Sequence, residues 1–448
     1  MDQQTLRDRV AECLYSSPAG RQDVAAASFA PVDDPISLVR ACLAQSWPDH
    51  GPGQVLEDHF TLPHLLGQYP GELLSFQAPP DYTPDRTWGL VVLLHGGGSG
   101  TPRETAKLWL ADDDGSGGYH FGEKLRELDL IAVAPSNLLQ PNHKRWSNPE
   151  SDAYILGVIE EAMARYHIDP DRVCLCGQSM GGFGAYHIVQ TIGDRFATVG
   201  AHAGAWYYGF WEAMEAVDFH ILHGSEDAAP GTRPRFTDTP FARFAHAVLS
   251  GYHLPHTYTE HAGGHSFSDP LARRAADVFF DRATTVRRNP VPDSILTASR
   301  KGAFKLYDSP HHFWLSIGDT HFGTFELDHV EPTESQPSYC TTNFRHRLIR
   351  CPGGTLRAIN HRDNTIELWP HNVDEATVWL NDDMVDFNKP VRILVAGKEV
   401  FSAQVTPSLE TVIESYGRRR DPGLSWQPGR LPVDPGGRAG GGAASSPR

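Results

Sequence analysis

Gly177-Gln178-Ser179-Met180-Gly181 decides the fold of this chain, because it matches the pattern G-x-S-x-G between two recognisable elements. A short apolar run, Val173 to Cys176, predicts a strand before it, and a helix is predicted after it from about Gly181 to Ile192. A tight turn between a strand and a helix lifts a serine above the edge of a sheet. We therefore predict that Ser179 is a nucleophile, with a helix N-cap serine as the alternative.

A glycine-rich loop, His95-Gly96-Gly97-Gly98, directly follows a predicted buried strand. Hydrolysis of an acyl group passes through a tetrahedral intermediate with a negative oxygen, which unobstructed backbone N–H groups stabilise. We expect Gly97 or Gly98 to give one donor of such an oxyanion hole and Met180 the other. A flexible glycine loop is the alternative, and His95 itself is predicted to be structural.

Two later loops supply an acid and a base. The run Phe219–Asp227 is an apolar strand that leads into a loop with two carboxylates, of which Asp227 is the predicted orienting acid and Glu226 the fallback. Gly263-Gly264-His265 follows another predicted strand, and His265 is the predicted general base. A serine hydroxyl becomes a good nucleophile when an imidazole takes its proton, and a carboxylate fixes the tautomer of that imidazole.

The histidines around the predicted base have a rival interpretation as metal ligands. His253, His256, His261 and His265 lie close together in the sequence. A metal site needs several side chains that converge and partners that orient them. Neither an HExxH run nor a carboxylate-rich set accompanies these histidines. We therefore predict no metal and no cofactor.

The pattern of apolar residues and turn residues divides the chain into four segments. Residues 1–85 are predicted to be an N-terminal lead-in, helical and then extended. Between residues 86 and 288 strands alternate with helices, which is typical of a mostly parallel sheet with helices on both faces. Residues 289–418 are rich in β-forming runs and turn residues, which predicts a β-rich accessory module. Residues 419–448 are rich in Pro, Gly, Arg and Ser and are predicted to be disordered.

Composition limits the partners and the location. The 448 residues carry a formal net charge of −16, which argues against nucleic acid and membrane surfaces as partners. The apolar runs are far shorter than the roughly 20 residues that span a bilayer, and the N-terminus lacks the apolar stretch of a signal peptide. Six scattered cysteines fit a reducing compartment, with a Cys340–Cys351 disulfide as an alternative. We therefore predict a cytoplasmic protein of undetermined oligomeric state.

Taken together, these motifs resemble the esterase-type α/β-hydrolases related to the prolyl oligopeptidase, polyhydroxybutyrate depolymerase and feruloyl esterase families. The chain order of serine, aspartate and histidine is the α/β-hydrolase order. The resemblance covers about residues 87–285 and rests on five stretches: Val91–Gly98, Ile168–Val173, Gly177–Gly182, His223–Asp227 and Gly263–Phe267.

The resemblance implies that residues 86–288 are an α/β-hydrolase catalytic domain that works without a cofactor. This chain departs from the families in two ways. Many relatives are secreted, whereas no signal peptide is visible here. The lead-in of about 85 residues is too short for the N-terminal propeller of prolyl oligopeptidases, which argues against a peptidase gated in that way.

The predicted substrate is a small-molecule ester. Loops at the carboxyl ends of the strands line the site on such folds, so Trp146, Gln178 and Trp206 are the candidate substrate-binding residues. A core or lid position is the alternative for the two tryptophans. The predicted function is a carboxylic ester hydrolase that acts through an acyl-enzyme. The alternatives are a serine peptidase for short peptides, or a non-catalytic binding protein whose β-rich module is the functional part.

Overall fold

The computed structural model describes most of the chain and divides it into two compact units. The α/β unit comprises residues 47–288 and 326–350, and the β-rich unit comprises residues 1–46, 289–325 and 351–448. The described residues are 3–15, 32–43, 47, 51–97, 101–115, 120–140, 145–204, 208–227, 239–267, 269–300, 311–332, 344–424 and 427–433.

The helices and strands are numbered in chain order. The helices are α1 (Gln3–Tyr15), α2 (Pro35–Leu43), α3 (Pro63–Gln68), α4 (Pro102–Lys107), α5 (Gly122–Glu127), α6 (Pro149–Arg165), α7 (Met180–Thr191), α8 (Thr239–Gly251), α9 (Pro270–Thr285) and α10 (Leu409–Arg419). The strands up to residue 300 are β1 (Gly53–Asp58), β2 (Leu74–Ala78), β3 (Trp88–Leu94), β4 (Leu130–Pro135), β5 (Ile168–Gln178), β6 (Thr198–His202), β7 (Tyr208–Gly209), β8 (Asp218–Gly224), β9 (His256–His261) and β10 (Ser294–Arg300). The later strands are β11 (His311–His312), β12 (Leu315–Thr320), β13 (Thr324–Pro332), β14 (Phe344–Asn360), β15 (Thr365–His371), β16 (Val373–Leu380), β17 (Val391–Val395), β18 (Lys398–Ala403) and β19 (Gln427–Val433).

The α/β unit is built on a twisted eight-stranded sheet with the order β1-β2-β4-β3-β5-β6-β8-β9. The pairs β1–β2 and β2–β4 are antiparallel, and the other five pairs are parallel. Every residue of β3 and β4 is buried, as expected for strands that helices cover on both faces. This is the α/β-hydrolase arrangement, and the predicted fold class is confirmed.

Side chains cap the N-termini of two helices in this unit. The side chain of Asn148 caps α6 by accepting a hydrogen bond from the backbone N–H of Ser151, and Pro149 occupies the first turn. Asp269 caps α9 in the same way. The apolar face of α9 packs on the sheet, where Phe279 and the strand residues Val91 and Cys176 are fully buried.

A discontinuous piece of chain completes the α/β unit. In the 326–350 segment, Asp328 and His329 pair antiparallel with β7. The Tyr252 hydroxyl donates to both carboxylate oxygens of the buried Asp328, at 3.0 and 2.9 Å. The ring of His346 also contacts this carboxylate, at 2.5 Å. Residues far along the chain are therefore fixed to β7 and to Tyr252, which directly follows α8.

The β-rich unit contains two groups of paired strands and a helical cluster. Strand β14 pairs antiparallel with β10 and β15, and β17 pairs parallel with β15 and antiparallel with β18. A second sheet has the order β11-β12-β16-β19. Helices α1, α2 and α10 share an apolar core whose buried members include Val10, Val39 and Val412.

The unit boundaries differ from the predicted segments because strand pairing joins distant parts of the chain. Strands β1 and β2 belong to the large sheet, so the predicted boundary at residue 85 falls inside the α/β unit. The first two helices join the β-rich unit, which also contains α10. Part of the predicted disordered tail forms β19, which pairs with β16, and residues 434–448 of that tail lie outside the described residues.

Among the helices that the structure describes, none combines the length and the apolar character needed to cross a bilayer. The cytoplasmic location stays a prediction from the sequence.

Candidate active site

Ser179 forms the whole turn between a strand and a helix. Strand β5 ends at Gln178 and α7 begins at Met180. The backbone of Ser179 has φ 55° and ψ −114°, a combination that side-chain-bearing residues rarely adopt. Its N–H donates to the carbonyl oxygen of His202 at 2.8 Å, which holds the strained turn against β6. Such strain is characteristic of functional turns and sets the serine at the carboxyl edge of the sheet.

The two outer glycines of the pentapeptide are needed because backbone passes very close to them. A Cβ atom on Gly177 would lie 2.0 Å from the carbonyl oxygen of Gly181. A Cβ atom on Gly181 would lie 2.1 Å from the carbonyl oxygen of Leu94. Both contacts are with backbone, which cannot move aside cheaply. The sequence pattern is therefore a packing requirement of the turn.

The predicted base lies between the other two predicted residues. His265 Nε2 is 2.8 Å from Ser179 Oγ, and His265 Nδ1 is 2.7 Å from Asp227 Oδ2. These contacts join residues 86 and 38 positions apart in the chain. The His265 side chain is 39% exposed, whereas that of Asp227 is 1% exposed. The geometry gives a hydroxyl at the surface, an imidazole beside it and a buried carboxylate behind.

The buried carboxylate of Asp227 is kept ionised by hydrogen bonds. Burial alone would raise its pKa, but hydrogen bonds from His223 and His265 outweigh that effect and hold the pKa below its ordinary value. Glu226, the fallback acid, is exposed, and its backbone N–H donates to Gly263. The structure therefore brings Asp227 to the base rather than Glu226.

His223 is a residue of this cluster that was not singled out from the sequence. It is fully buried on β8, and its Nε2 lies 3.3 Å from the same carboxylate oxygen of Asp227 that contacts His265. The spacing of four residues between His223 and Asp227 was a visible signal, because the turn after a strand returns the chain toward the strand end. Two imidazoles thus contact the same oxygen of Asp227, and we expect His223 to act as a positioning residue.

We expect His223→Phe to lower kcat/KM for ester hydrolysis about ten- to hundredfold, the usual weight of a hydrogen bond to a charged group. Loss of that donor raises the pKa of Asp227, so the acid limb of the pH–kcat/KM profile moves to higher pH. The measurement is that profile between pH 4 and pH 9. His223→Gln is the matched control, because its amide nitrogen still donates, and it should recover most of the activity. If both variants lost activity equally and the acid limb of the pH–kcat/KM profile stayed in place, His223 would only fill space.

The glycine loop lies beside the first residue of α7. A Cβ atom on Gly97 would be 3.9 Å from the Cβ of Met180, so the two backbones are neighbours. N–H groups in the first turn of a helix have no partner within the helix, which leaves that of Met180 available for a substrate oxygen. Gly98, the other predicted donor, lies outside the described residues.

His95 has a structural place, as predicted. Its ring is buried, and its two nitrogens lie 2.8 Å from the carbonyl oxygen of Gly96 and 3.0 Å from that of Ser136. Burial lowers the pKa of His95 to about 4, so the ring is neutral at pH 7. It links the loops that follow β3 and β4.

The predicted substrate-binding residues fall in three different places. Trp146 is 1% exposed and its indole N–H donates to the carbonyl oxygen of His95 at 3.0 Å. This corrects the prediction, since a side chain so enclosed supports the loop and has no surface for a substrate. Gln178 is largely buried, and its amide donates to the carbonyl oxygen of His265 at 3.2 Å, which supports the base. Trp206 lies outside the described residues.

One group of side chains has the spacing of a metal site. Ligand atoms of Asp113, Asp114 and His120 lie within 4.8 Å of one another. Arg273 Nε lies 3.6 Å from Asp113 and already places positive charge there, and the two aspartates are exposed. We assign no metal to this group. Cys340, of the alternative disulfide, lies outside the described residues.

Parts of this chain are similar in sequence to a known family and to a known protein. Residues 149–235 match the model of the esterase family, a segment that includes Ser179 and Asp227 and ends before His265. Over 74 residues the chain is 31% identical to the bifunctional acetylxylan esterase/xylanase of Neocallimastix patriciarum. That match covers 16% of this chain and 11% of the relative, so the chain spans about a tenth of the relative's length.

Two solved structures illustrate the structural neighbours. FphF, a fluorophosphonate-binding serine hydrolase of Staphylococcus aureus, is 16% identical, and the alignment covers 52% of this chain and 99% of that one with a TM-score of 0.38. The ferulic acid esterase AmCE1/Fae1A of Anaeromyces mucronatus is 23% identical, with 48% and 84% covered and a TM-score of 0.34.

The class of protein follows from the sheet and the family match. The strand order and the turn at Ser179 define an α/β-hydrolase. The esterase family match confirms the resemblance drawn from the sequence and supports the predicted class of enzyme, a carboxylic ester hydrolase.

Proposed function

We propose that this chain hydrolyses carboxylic esters through an acyl-enzyme, with Ser179 as nucleophile, His265 as general base and Asp227 as the orienting acid. The single observation that carries the proposal is the pair of contacts at His265, 2.8 Å to the hydroxyl and 2.7 Å to the carboxylate. The first lies within the hydrogen-bond distance that proton transfer requires, and the second is a hydrogen bond through which a carboxylate orients an imidazole. The anionic state of Asp227 suits the stabilisation of an imidazolium.

The reaction has two half-reactions with balanced protons. Ser179 Oγ attacks the ester carbonyl carbon as its proton passes to His265 Nε2. When the C–O bond to the alcohol breaks, the same proton goes to the leaving oxygen, and the acyl group stays on the serine. A water molecule then attacks the acyl carbon with His265 again taking a proton, which returns to Oγ as the carboxylic acid leaves.

Backbone N–H groups of Gly97 and Met180 are the proposed oxyanion hole. Their closeness supports this assignment, as does the place of Met180 in the first turn of α7, where N–H groups have no partner within the helix. The positive end of the helix dipole adds to the stabilisation of the negative oxygen. Donors fixed by the fold do not have to reorganise as charge develops.

The proposed substrate is a small ester of a carbohydrate alcohol. The names of the relatives, an acetylxylan esterase and a ferulic acid esterase, suggest an acetyl or aromatic acyl group. The chain matches only part of the first of these proteins, so the acyl group is a matter for experiment.

A panel of p-nitrophenyl esters, from acetyl to long-chain and aromatic acyl groups, tests the proposal. We expect hydrolysis of short or aromatic esters, with an initial burst of nitrophenol when deacylation is slower than acylation. Peptide p-nitroanilides are the comparison, and we expect them to be cleaved more slowly. Faster cleavage of the anilides would indicate a peptidase, and failure to hydrolyse any ester would favour a non-catalytic binding protein.

A further inference from the structure

The side chain of Gln178 lies between the two loops on either side of Ser179. Gln178 is the last residue of β5, and its backbone pairs in register with His202 of β6, so the sheet fixes its position. The residue is 6% exposed. A long polar side chain directly before Ser179 is therefore turned into the protein, which leaves it little surface for a substrate.

The nitrogen of this carboxamide holds the loop that carries the base. Gln178 Nε2 donates to the carbonyl oxygen of His265 at 3.2 Å. The same loop is fixed from the side of the acid, where the N–H of Glu226 donates to the carbonyl oxygen of Gly263 at 2.8 Å. Because the His265 side chain is 39% exposed, packing does not enclose the ring, and these backbone contacts help to set its direction.

The oxygen of the carboxamide lies against the glycine loop. A Cβ atom on Gly96 would be 2.6 Å from Gln178 Oε1, and 3.3 Å from both the Gln178 carbonyl oxygen and Ser179 Cβ. An atom at 2.6 Å has to move, and the end of a long side chain can do so by changing rotamer. A methyl group at residue 96 would therefore displace the carboxamide before it displaced the backbone.

We propose that Gln178 is a positioning residue that couples the glycine loop to the loop of His265. Its oxygen fills the space beside Gly96 and its nitrogen sets the carbonyl of His265, so a shift in one loop reaches the other through a single carboxamide. The inference rests on the proposed function, in which these loops supply the oxyanion hole and the general base. Both must act on one carbonyl group, and a misplacement of about 1 Å costs on the order of a hundredfold in rate.

The first experiment removes the hydrogen bonds of the carboxamide and keeps the length of the side chain. We expect Gln178→Met to lower kcat on nitrophenyl esters about tenfold, the effect of a buried carbonyl that loses its donor, with KM changed less than about twofold. Gln190→Met is the matched control and should keep its kcat. Gln190 is 3% exposed, and its carboxamide also joins two backbone groups, the carbonyl of Tyr186 and the N–H of Phe210. A near-normal kcat in Gln178→Met, or an equal loss in the control, overturns the proposal.

A double-mutant cycle tests the coupling itself. Gly96→Ala displaces the carboxamide and Gln178→Ala removes it, so we expect each to lower kcat about tenfold. In Gln178→Ala the oxygen at 2.6 Å is gone, and the remaining contacts of the new methyl group, at 3.3 Å, need only small shifts. The double variant should therefore lie within about threefold of either single variant. Losses that multiply to about a hundredfold would show that the two residues act independently.

A measurement without turnover separates this inference from the proposed function. The amide NMR signal of Gly264, next to His265, can be followed whether or not an ester is hydrolysed. We expect Gly96→Ala to shift this signal in the otherwise native chain and to leave it in place when residue 178 is already alanine. A chain with this pattern that hydrolyses no ester would contradict the proposed function alone. A chain that hydrolyses esters and shows no shift, or the same shift without the carboxamide, would contradict the coupling alone.

Discussion

Replacing Ser179 with alanine lowers ester hydrolysis by a factor on the order of 10⁴–10⁶, as loss of the nucleophile does in serine hydrolases. The expected loss is large because the substitution removes Oγ, the atom that lies 2.8 Å from His265 Nε2. Residual turnover would come from water in a site that still binds the ester. The measurement is kcat/KM on the best nitrophenyl ester of the panel.

Two controls make this result specific. Ser250→Ala changes an exposed serine of α8 and should leave the rate unchanged. Mass spectrometry after treatment with a fluorophosphonate should show one covalent adduct on the wild-type chain and none on Ser179→Ala. A Ser179→Ala protein that keeps near-normal turnover, or that is still labelled, would show that another residue is the nucleophile.

Asp227→Asn should lower kcat by about 10⁴, the effect of this change on a serine–histidine pair elsewhere. An amide keeps the shape of the carboxylate but can present an N–H to His265 Nδ1, which stabilises the wrong tautomer of the base. It also removes the charge that an imidazolium needs. Glu226→Gln is the matched control, because Glu226 is the neighbouring carboxylate and is exposed, and it should be nearly normal.

The same variant changes how stability depends on pH. The pKa of Asp227 is lowered in the folded state, so its ionisation stabilises the fold above the unfolded value of about 3.9. That contribution disappears as pH falls through the folded pKa. We therefore expect urea unfolding of the wild type to weaken below pH 4 more steeply than unfolding of Asp227→Asn. Parallel curves would contradict the hydrogen-bonded, ionised state of Asp227.

Local signals predicted the parts of the site that depend on a short stretch of chain. The turn at Ser179 is specified by two glycines and by an apolar strand before it, all within ten residues. The order of Ser179, Asp227 and His265 was visible because each of the three lies in its own short motif. Each of these features follows from the chemistry of a few neighbouring residues, and the structure brings the three predicted residues together.

Features that depend on distant pairing were beyond reach from the sequence. Strands β1 and β2 were left in a lead-in because nothing local says that β2 pairs with β4, where Gln77 lies opposite Ala132, 55 residues along the chain. Trp146 was assigned to the substrate because an aromatic residue in a loop looks the same whether it faces inward or outward. The contact of His223 with Asp227 depends on the direction of a buried side chain, which the sequence does not give.

The division of the α/β unit between residues 47–288 and 326–350 has a consequence for how the chain is made. A ribosome delivers the N-terminal part first, so Asp328 arrives long after Tyr252 and β7, its partners in the finished unit. The apolar faces of α1 and α2 are covered by α10, which is synthesised later than residue 350. The α/β unit is complete only after residue 350 has been synthesised, and the apolar faces of α1 and α2 stay uncovered until α10 follows.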